Sequence, residues 1–201
     1  MSAPSLPASL RFIQRDWLSC NQIIGFDGQA EGRHATLIDT GYGKHAAQTQ
    51  ALVTHVLAGE GLPIGALRHI LNTHLHSDHC GGNAQLARIS GARVRVPLAE
   101  FDTVRHWDET RLTFRGTGQR CERFCADSAI TPGEHLRLGG LDWQTLAAPG
   151  HDPHSLILHC PDEQLLISAD ALWENGFGVI FPELSGDSGF REQHDVLDLI
   201  A

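Results

Sequence analysis

Basic side chains are scarce in this sequence, and long apolar runs are absent. Its 201 residues include 15 Lys and Arg against 24 Asp and Glu, which gives a formal net charge of −9 at pH 7. Nucleic-acid binding depends on clusters of cationic side chains that face phosphates. A membrane-spanning helix needs about 20 consecutive apolar residues, and no stretch of the sequence approaches that length. We therefore expect neither a nucleic-acid partner nor a membrane partner.

Cysteine is too irregular in its spacing for a disulfide framework. The five cysteines are odd in number and show no paired pattern, so reduced thiols are expected. The N-terminus also lacks the basic start and apolar stretch of a secretory signal. These features predict a cytoplasmic protein. Cys121 and Cys125 form a Cys-x3-Cys pair, but this spacing alone is a weak zinc signal, and packing is the favoured interpretation.

The length and composition are those of one globular domain. Hydrophobic residues make up 41% of the chain and charged residues 19%, as in folded water-soluble proteins. We expect a loose leader, rich in Ser, Pro and Ala, over residues 1–10. A single domain is expected over residues 11–201.

Strand and helix patterns alternate in the first half of the chain, and strands dominate the second half. Strands are predicted within 11–26 and at 36–38, 68–72, 94–97, 134–138, 141–146, 155–160 and 164–168. Helices are predicted at 44–57, from Gly82 onward, at 98–107 and at 190–200, and an irregular segment, which is an inserted loop or helix, is predicted at 109–126. This order predicts an α+β protein in which helices cover sheets. The last helix stops in mid-pattern, which suggests that the chain is cut short there.

The most informative segment is rich in histidine and runs over residues 73–82, Thr-His-Leu-His-Ser-Asp-His-Cys-Gly-Gly. Side chains at i and i+2 share a face of an extended chain, whereas on a helix they diverge by roughly 200°. His74 and His76 therefore converge only if this segment is extended. Asp78 and His79 would then lie on a bend and face a second point nearby.

The two glycines that follow, Gly81 and Gly82, are expected to let the backbone turn sharply and approach the site closely. Neutral imidazole and carboxylate are the ligands expected for zinc, and they also suit iron and manganese. The segment therefore predicts a metal site whose metal the residues alone do not identify.

The pattern His-x-His-x-Asp-His followed by Gly-Gly resembles the signature of the metallo-β-lactamase superfamily. Other segments resemble further motifs of that family in the right order, so the resemblance covers nearly the whole chain. These segments are Leu37-Ile38-Asp39-Thr40-Gly41, Ala148-Pro149-Gly150-His151 and Ser168-Ala169-Asp170. The resemblance implies an αββα sandwich in the α+β class, with two mixed β-sheets flanked by helices.

The resemblance also implies a role for each matching residue. His74, His76 and His151 would hold one metal, Asp78 and His79 would hold a second, and Asp170 would be shared. Asp39 would support the metal loop from behind and Asp78 would also orient the nucleophile, so these two are the expected catalytic residues. Two zinc ions are expected, with iron or manganese as alternatives. The family usually supplies one more His after the final helix, so the second site is expected to be the weaker one.

The activity that the resemblance implies is hydrolysis of an ester, thioester or lactone carbonyl in a small-molecule substrate, through a metal-bound hydroxide. β-Lactamases of the family commonly have Cys where this chain has Asp170, so the sequence is more similar to the glyoxalase-II-like branch. Two alternatives stay open: an oxidoreductase similar to mononuclear iron persulfide dioxygenases, and a non-catalytic member that binds little metal. Association into a homo-oligomer is a further expectation.

Three other groups of side chains have two interpretations each. His154 stands where relatives often carry Gly, and it either supports the site or has no role in it. The aromatic residues after Asp170 either line an apolar acyl pocket or belong to the core; they are Trp173, Phe177 and Phe181. The arginines of the irregular segment either bind an anionic substrate or form a solvated face, which is favoured; they are Arg111, Arg115, Arg120 and Arg123.

Overall fold

The computed structural model describes residues 6–29 and 32–201, and within these ranges the strands form two sheets. The larger sheet has the order β1-β2-β3-β4-β5-β6 and the smaller has the order β10-β9-β8-β7. The strands are β1 (Leu10–Ile13), β2 (Gln22–Asp27), β3 (His34–Ile38), β4 (Leu67–Leu71), β5 (Arg93–Pro97), β6 (Ser128–Ile130), β7 (His135–Leu138), β8 (Leu141–Ala147), β9 (Leu156–Cys160) and β10 (Leu165–Ile167).

The two sheets differ in the direction of their strands. In the larger sheet β1, β2 and β3 are antiparallel, and the pairs from β3 to β6 are parallel. Parallel neighbours need long crossover connections, and the helices of the first half supply them. The smaller sheet is antiparallel throughout, so it is not mixed as predicted, because each of its strands is joined directly to the next by a loop without a crossover.

Helices cover the outer face of each sheet and give the molecule four layers. The helices are α1 (Ala46–Gly59), α2 (Ser77–Cys80), α3 (Asn83–Ser90), α4 (Leu98–His106), α5 (Phe114–Thr117), α6 (Phe181–Leu184) and α7 (Phe190–Ile200). One core lies between α1, α3 and the larger sheet, a second lies between the sheets, and a third lies under α7. This αββα arrangement confirms the predicted fold class.

The alternation of side chains along a strand explains how one strand serves two cores. In β9, Leu156 and Leu158 face the core between the sheets, whereas Ile157 faces the core under α7. In β3, Leu37 faces the helical layer and Ile38 faces the other sheet. Successive side chains of a strand point to opposite faces, so strands buried on both sides carry consecutive apolar residues.

The predicted strands and helices are all present, with ends displaced by a few residues. Three short elements were missed, α2, β6 and α6, because three or four residues carry no readable periodicity. Helix α5 lies in the segment predicted as a loop or helix. Of the predicted leader, residues 1–5 lie outside the described residues, while Leu10 is buried and begins β1. Among the described residues no helix combines the length and apolarity needed to cross a membrane.

Candidate metal centre

The His-rich loop begins where β4 ends, beside the end of its parallel neighbour β3. Since the carboxyl ends of parallel strands meet at one edge of a sheet, Asp39 after β3 lies next to the loop after β4. The backbone at His76 is extended, with ψ of 149°, and α2 begins at Ser77. The loop that carries His74 and His76 thus contains no helix, and the short helix α2 carries Asp78 and His79.

Asp39 is buried behind the loop and accepts several hydrogen bonds from it. Its Oδ1 accepts from the Thr73 backbone N–H at 2.9 Å, and its Oδ2 accepts from the Thr73 hydroxyl at 2.7 Å. Oδ2 also lies 2.8 Å from Nδ1 of His79. The structure thus brings Asp39 into direct contact with the loop, in a left-handed backbone conformation (φ 58°) that Asp tolerates better than most residues.

These contacts determine which nitrogen of two imidazoles carries the proton. Nδ1 of His79 donates to Asp39, so Nε2 of His79 presents a lone pair. The Thr73 hydroxyl gives its proton to Asp39 and can accept from Nδ1 of His74, 3.1 Å away. Nε2 of His74 is then also a lone-pair nitrogen. Both Nε2 atoms are buried and have no hydrogen-bond partner among the described residues.

A first cluster is formed by the imidazoles of His74, His76 and His151, which could hold a metal ion. Nδ1 of His76 lies 2.9 Å from Nε2 of His151, although the two residues are 75 positions apart. Burial lowers the pKa of His74 well below its usual value, and the neighbouring imidazoles lower it further. Burial and the charge of His151 lower the pKa of His76 to about 3. These rings are therefore neutral at pH 7, the form that binds metals.

A second cluster is formed by His74, His79 and Asp170. Oδ1 of Asp170 lies 3.3 Å from Nε2 of His79, and Oδ2 lies 3.3 Å from Nε2 of His151. One carboxylate thus faces both clusters. Burial opposes its ionisation, but the nearby imidazoles of His79 and His151 hold the pKa of Asp170 below its usual range.

Asp78 lies further out, at the cleft beside the second cluster. Its Oδ2 is 3.8 Å from Nε2 of His79, and its side chain is about one-fifth exposed. Burial lowers the pKa of His79, but the coulombic effects of Cys20, Asp170 and Asp39 outweigh it and raise this pKa well above its usual value. The surroundings of His79 therefore favour a positive charge at this point, either a proton on Nε2 or a metal cation in its place.

The residues present fit a divalent metal. Nε2 of His74 and Nε2 of His79 are buried without a hydrogen-bond partner among the described residues, and a buried polar atom without a partner is costly. A cation shared by these lone pairs removes that cost, and imidazole with carboxylate is a donor set that zinc, iron and manganese accept. Five of the six candidate ligands thus lie in the two clusters and Asp78 lies beside the second, while metal binding by these residues stays a prediction.

Helix α7 connects the two loops that carry His151 and Asp170. The side chain of Gln193 is buried, accepts a hydrogen bond from the His151 backbone N–H at 3.2 Å and donates to the Ala171 carbonyl at 2.9 Å. The Phe181 ring packs 4.1 Å from the His76 ring and 5.3 Å from the His151 ring, measured between centroids. Gln193 and Phe181 therefore position the loops of the centre.

Two further acidic residues near the centre were missed in the sequence. Oδ2 of Asp152 lies 3.4 Å from Nε2 of His76, and its Oδ1 accepts from the His154 backbone N–H at 2.7 Å. Glu100 of α4 is buried and pairs with Nδ1 of His154. The adjacency of Asp152 to His151 is a local signal that could have identified it. Glu100 has no such signal, because only the tertiary fold brings α4 to this loop.

Cys20 is a third residue that the sequence did not indicate. Its backbone N–H donates to the Asp78 carbonyl at 3.1 Å, and its sulfur lies in a group with Asp39 and His79. Burial raises the pKa of the Cys20 thiol, although His79 opposes the shift. The other thiols are less close to the centre: Cys121 lies 3.9 Å from Cys80, measured between sulfurs, and Cys125 is exposed.

The glycines after the His-rich segment are needed because they have no side chain, and not because they adopt a special backbone angle. Gly81 and Gly82 have helical φ values of −63° and −92°, so neither makes the sharp turn that was predicted. A Cβ on Gly81 would lie 2.2 Å from the Gly43 nitrogen, and one on Gly82 would lie 2.6 Å from the Thr40 oxygen. The two positions need glycine because the loop after β3 packs against them.

A cleft of about 430 Å³ opens beside the second cluster and is lined in part by Asp78, His79 and Asp170. Apolar side chains of Phe12, Trp17 and Leu172 also line it, as does Trp173, which is 41% exposed. Of the other aromatic candidates, Phe177 is exposed and Phe181 packs on the imidazoles. All four arginines of the irregular segment are exposed, which agrees with a solvated face.

The two-sheet sandwich with a His and Asp centre between the strand ends agrees with the family that the motifs resemble. The sequence model of the metallo-beta-lactamase superfamily matches residues 29–199. The chain belongs to that superfamily.

Curated relatives are similar over part of their length. A hydroxyacylglutathione hydrolase from Methylococcus capsulatus is 30% identical over 145 residues, which cover 72% of this chain and 49% of the relative. A hydroxyacylglutathione hydrolase from Rhodobacter capsulatus is 34% identical over 115 residues, 57% of this chain and 38% of the relative. The chain spans about half, or less, of the length of the curated relatives it matches.

Solved structures share the fold. BLEG-1 B3 metallo-beta-lactamase superimposes with a TM-score of 0.70 at 23% identity and covers 94% of this chain and 83% of its own. A metallo-beta-lactamase family protein from Thermus thermophilus superimposes with a TM-score of 0.65 at 25% identity, over 87% of this chain and 63% of its own.

Proposed function

We propose that the protein is a metal-dependent hydrolase that acts on the carbonyl group of an ester, thioester or lactone. The observation that carries the proposal is the pair of buried clusters with one carboxylate between them. Buried imidazole nitrogens converge in each cluster, and Nε2 of His74 and Nε2 of His79 have no hydrogen-bond partner among the described residues. The two oxygens of Asp170 lie 3.3 Å from Nε2 of His79 and Nε2 of His151. Superfamily membership and similarity to hydroxyacylglutathione hydrolases support a hydrolase.

The proposed ligands of the first metal are Nε2 of His74, Nδ1 of His76 and Nε2 of His151. Those of the second are Nε2 of His79, Oδ2 of Asp78 and Oδ1 of Asp170, while Oδ2 of Asp170 faces the first. The atoms of His74 and His79 follow from the hydrogen bonds that use their other ring nitrogens, and those of His76 and His151 follow from the 2.9 Å approach of Nδ1 to Nε2. We expect zinc at both sites and tighter binding at the first, since three buried imidazoles form it and Asp78 is partly exposed.

A bound divalent metal ion supplies a Lewis acid for the carbonyl oxygen and makes a coordinated water a nucleophile at neutral pH. Asp78 borders the cleft, so its free oxygen is placed to accept a hydrogen bond from the attacking water and orient it. Asp39 keeps His79 and, through Thr73, His74 in the tautomers that leave Nε2 free.

The cleft supports a small-molecule substrate with an apolar acyl group. Its volume of about 430 Å³ lies within the usual range for small ligands. Trp173 and Leu172 provide an apolar wall next to Asp170, so an acyl chain would lie there with its carbonyl at the clusters.

The experiment is to purify the protein, count zinc, iron and manganese per chain by mass spectrometry, and measure kcat/KM on four substrates. The substrates are an S-acyl glutathione thioester, an acyl ester, a lactone and a β-lactam. We expect zinc in up to two equivalents, activity on the thioester, ester or lactone, and loss of activity with a chelator that zinc restores.

The matched variants are H151A, which removes a proposed ligand, and H135A, which removes a His exposed on β7. H151A should lower kcat/KM at least about a hundred-fold, whereas H135A should match the wild type. Iron with oxygen consumption would indicate an oxidoreductase. A protein that takes up no metal, or activity that survives both the chelator and H151A, would refute the proposal.

A further inference from the structure

His76 has close partners at both of its ring nitrogens. Nδ1 lies 2.9 Å from Nε2 of His151, and Nε2 lies 3.4 Å from Oδ2 of Asp152. A neutral imidazole carries one proton, so only one of its nitrogens can offer a lone pair to a metal. When Nδ1 faces the first cluster, Nε2 carries the proton and needs an acceptor. Nε2 is buried and has no well-aligned hydrogen-bond partner among the described residues, so a small rotation toward Asp152 would supply one.

Asp152 is suited to accept that proton. The residue is buried, with 7% of its surface exposed, so its carboxyl group must find partners within the protein. Its Oδ1 already accepts from the His154 backbone N–H at 2.7 Å, which leaves Oδ2 for His76. The carboxyl group therefore has one oxygen for each donor.

Helix α4 fixes the loop that carries Asp152. Glu100 of α4 is 5% exposed and pairs with Nδ1 of His154. Because the His154 backbone N–H holds Asp152, the pair fixes both His154 and the carboxyl group behind His76. Pro153 stands between them and restricts the backbone further.

We propose that Asp152 is a positioning residue that holds His76 in the tautomer and orientation needed to bind metal, and that Glu100 fixes Asp152 through His154. The inference rests on the proposed metal centre, in which His76 is a ligand. Carboxylates behind a metal-binding His orient the ring and raise its basicity, and their loss typically weakens metal affinity 10- to 100-fold.

The test compares D152N with D127N. Asn has one side-chain acceptor oxygen, whereas the His76 ring and the His154 backbone N–H face different oxygens of Asp152, so D152N cannot serve both donors in this geometry. Asp127 also accepts a backbone hydrogen bond, from Val94, but it lies outside the clusters. Zinc affinity is measured by competition with a chromogenic chelator. We expect the tighter zinc to bind roughly 10- to 100-fold more weakly to D152N and unchanged to D127N.

A spectroscopic measurement separates positioning from a merely structural role. Cobalt replaces zinc, and proton NMR records the solvent-exchangeable ring N–H signals shifted by the bound cobalt. The exchangeable signal lost on H76A is assigned to Nε2–H of His76. It should move or exchange faster in D152N and stay in place in D127N.

E100Q, which leaves Asp152 intact, should weaken zinc binding as D152N does but by a smaller factor. This variant is the test of the proposal if D152N does not fold.

The outcomes distinguish this inference from the proposed function. Wild-type protein that binds no divalent metal would overturn both. Tight zinc in the wild type, with unchanged affinity and cobalt spectra in D152N and E100Q, would overturn only the role of Asp152. A third metal equivalent that E100Q abolishes would also overturn it, because Glu100, Asp152 and His154 would then be a cation site of their own.

Discussion

Asp39 shows how a single buried carboxylate can prepare several ligands at once. It receives hydrogen bonds from the Thr73 backbone, the Thr73 hydroxyl and the His79 ring. The hydroxyl extends its effect to His74. One residue behind the loop thereby sets the proton positions of two rings, which neither ring could fix alone because imidazole tautomers are close in energy.

We predict that D39N loses about 2–4 kcal/mol of unfolding free energy, because a buried amide group cannot accept all three hydrogen bonds and leaves donors without partners. Urea denaturation of the metal-free protein measures the loss. D142N, on the exposed β7–β8 hairpin, is the control and should change stability by no more than about 0.5 kcal/mol. Equal stability of D39N and D142N would contradict this role of Asp39.

The Glu100–His154 pair predicts a pH-dependent contribution to stability. The hydrogen bond with Glu100 raises the pKa of His154; burial and Arg111 oppose the shift, and the charges of Glu100 and Asp152 assist it. A histidine whose pKa is raised in the folded state stabilises the protein in full at pH values below its unfolded-state pKa of about 6.5. This stabilisation is lost as the pH rises through the folded-state pKa. The stability difference between wild type and E100Q should therefore be larger near pH 6 than near pH 9.

This prediction is measured by urea denaturation of metal-free wild type and E100Q at both pH values. Metal is removed so that ligand protonation does not enter through binding. H135Q is the control, because His135 is exposed and also lies beside an acid, Asp142. A difference between wild type and E100Q that is the same at both pH values would show that the ionised pair contributes nothing.

At the scale of elements, the loops of the centre come from both sheets. Asp39 and the His-rich loop follow β3 and β4, while His151 and Asp170 follow β8 and β10. A backbone hydrogen bond from Leu156 to the Thr73 carbonyl, 2.9 Å long, joins the two sheets at this edge. The strand ends thus bring together ligands that are far apart in the sequence.

The loop after β3 packs so closely against Gly81 that a side chain has no room there. A Cβ there would lie 2.2 Å from the Gly43 nitrogen and 2.5 Å from the Ser77 oxygen, and backbone atoms cannot rotate away. We predict that G81A loses about 1–3 kcal/mol of stability and weakens zinc binding. Gly59 lies in α1, and a Cβ added there would have no other atom within 4 Å. G59A should therefore be neutral or stabilising by up to about 1 kcal/mol. Thermal denaturation and chelator competition measure both; a G81A variant that behaves like the wild type would disprove the packing argument.

The sequence predicts local geometry well and tertiary proximity poorly. The spacing of His74 and His76 implies an extended chain because the rule depends only on neighbours along the backbone. From the sequence, Gly81 is expected to make a sharp turn, whereas glycine is needed there for its close contact with Gly43. That contact is non-local, so the spacing of residues does not indicate it. Glu100 was missed because only the packing of α4 places it near His154. The family motifs located His151 and Asp170, for which spacing alone gave no contact.

At the scale of the whole molecule, the candidate centre brings together loops from both sheets and a side chain of helix α7. A metal bound there would connect loops of both sheets, and α7 contributes through Gln193. Helix α7 also exposes Phe190 and Leu199. Association into a homo-oligomer and a cytoplasmic location both remain predictions.

Metal removal should therefore destabilise the whole fold and not only the loop. A ligand that binds only the folded state stabilises it by about 4 kcal/mol when present at 1,000 times its Kd, which for a domain of this size corresponds to a Tm change of roughly 8–16 °C. We predict a fall of that order in Tm when a chelator is added, with recovery when zinc is restored. The double variant H76A/H151A should unfold at the same Tm with and without the chelator, because it lacks two of the three proposed ligands of the first site. An equal zinc-dependent shift in that variant would mean that the stabilising metal binds elsewhere.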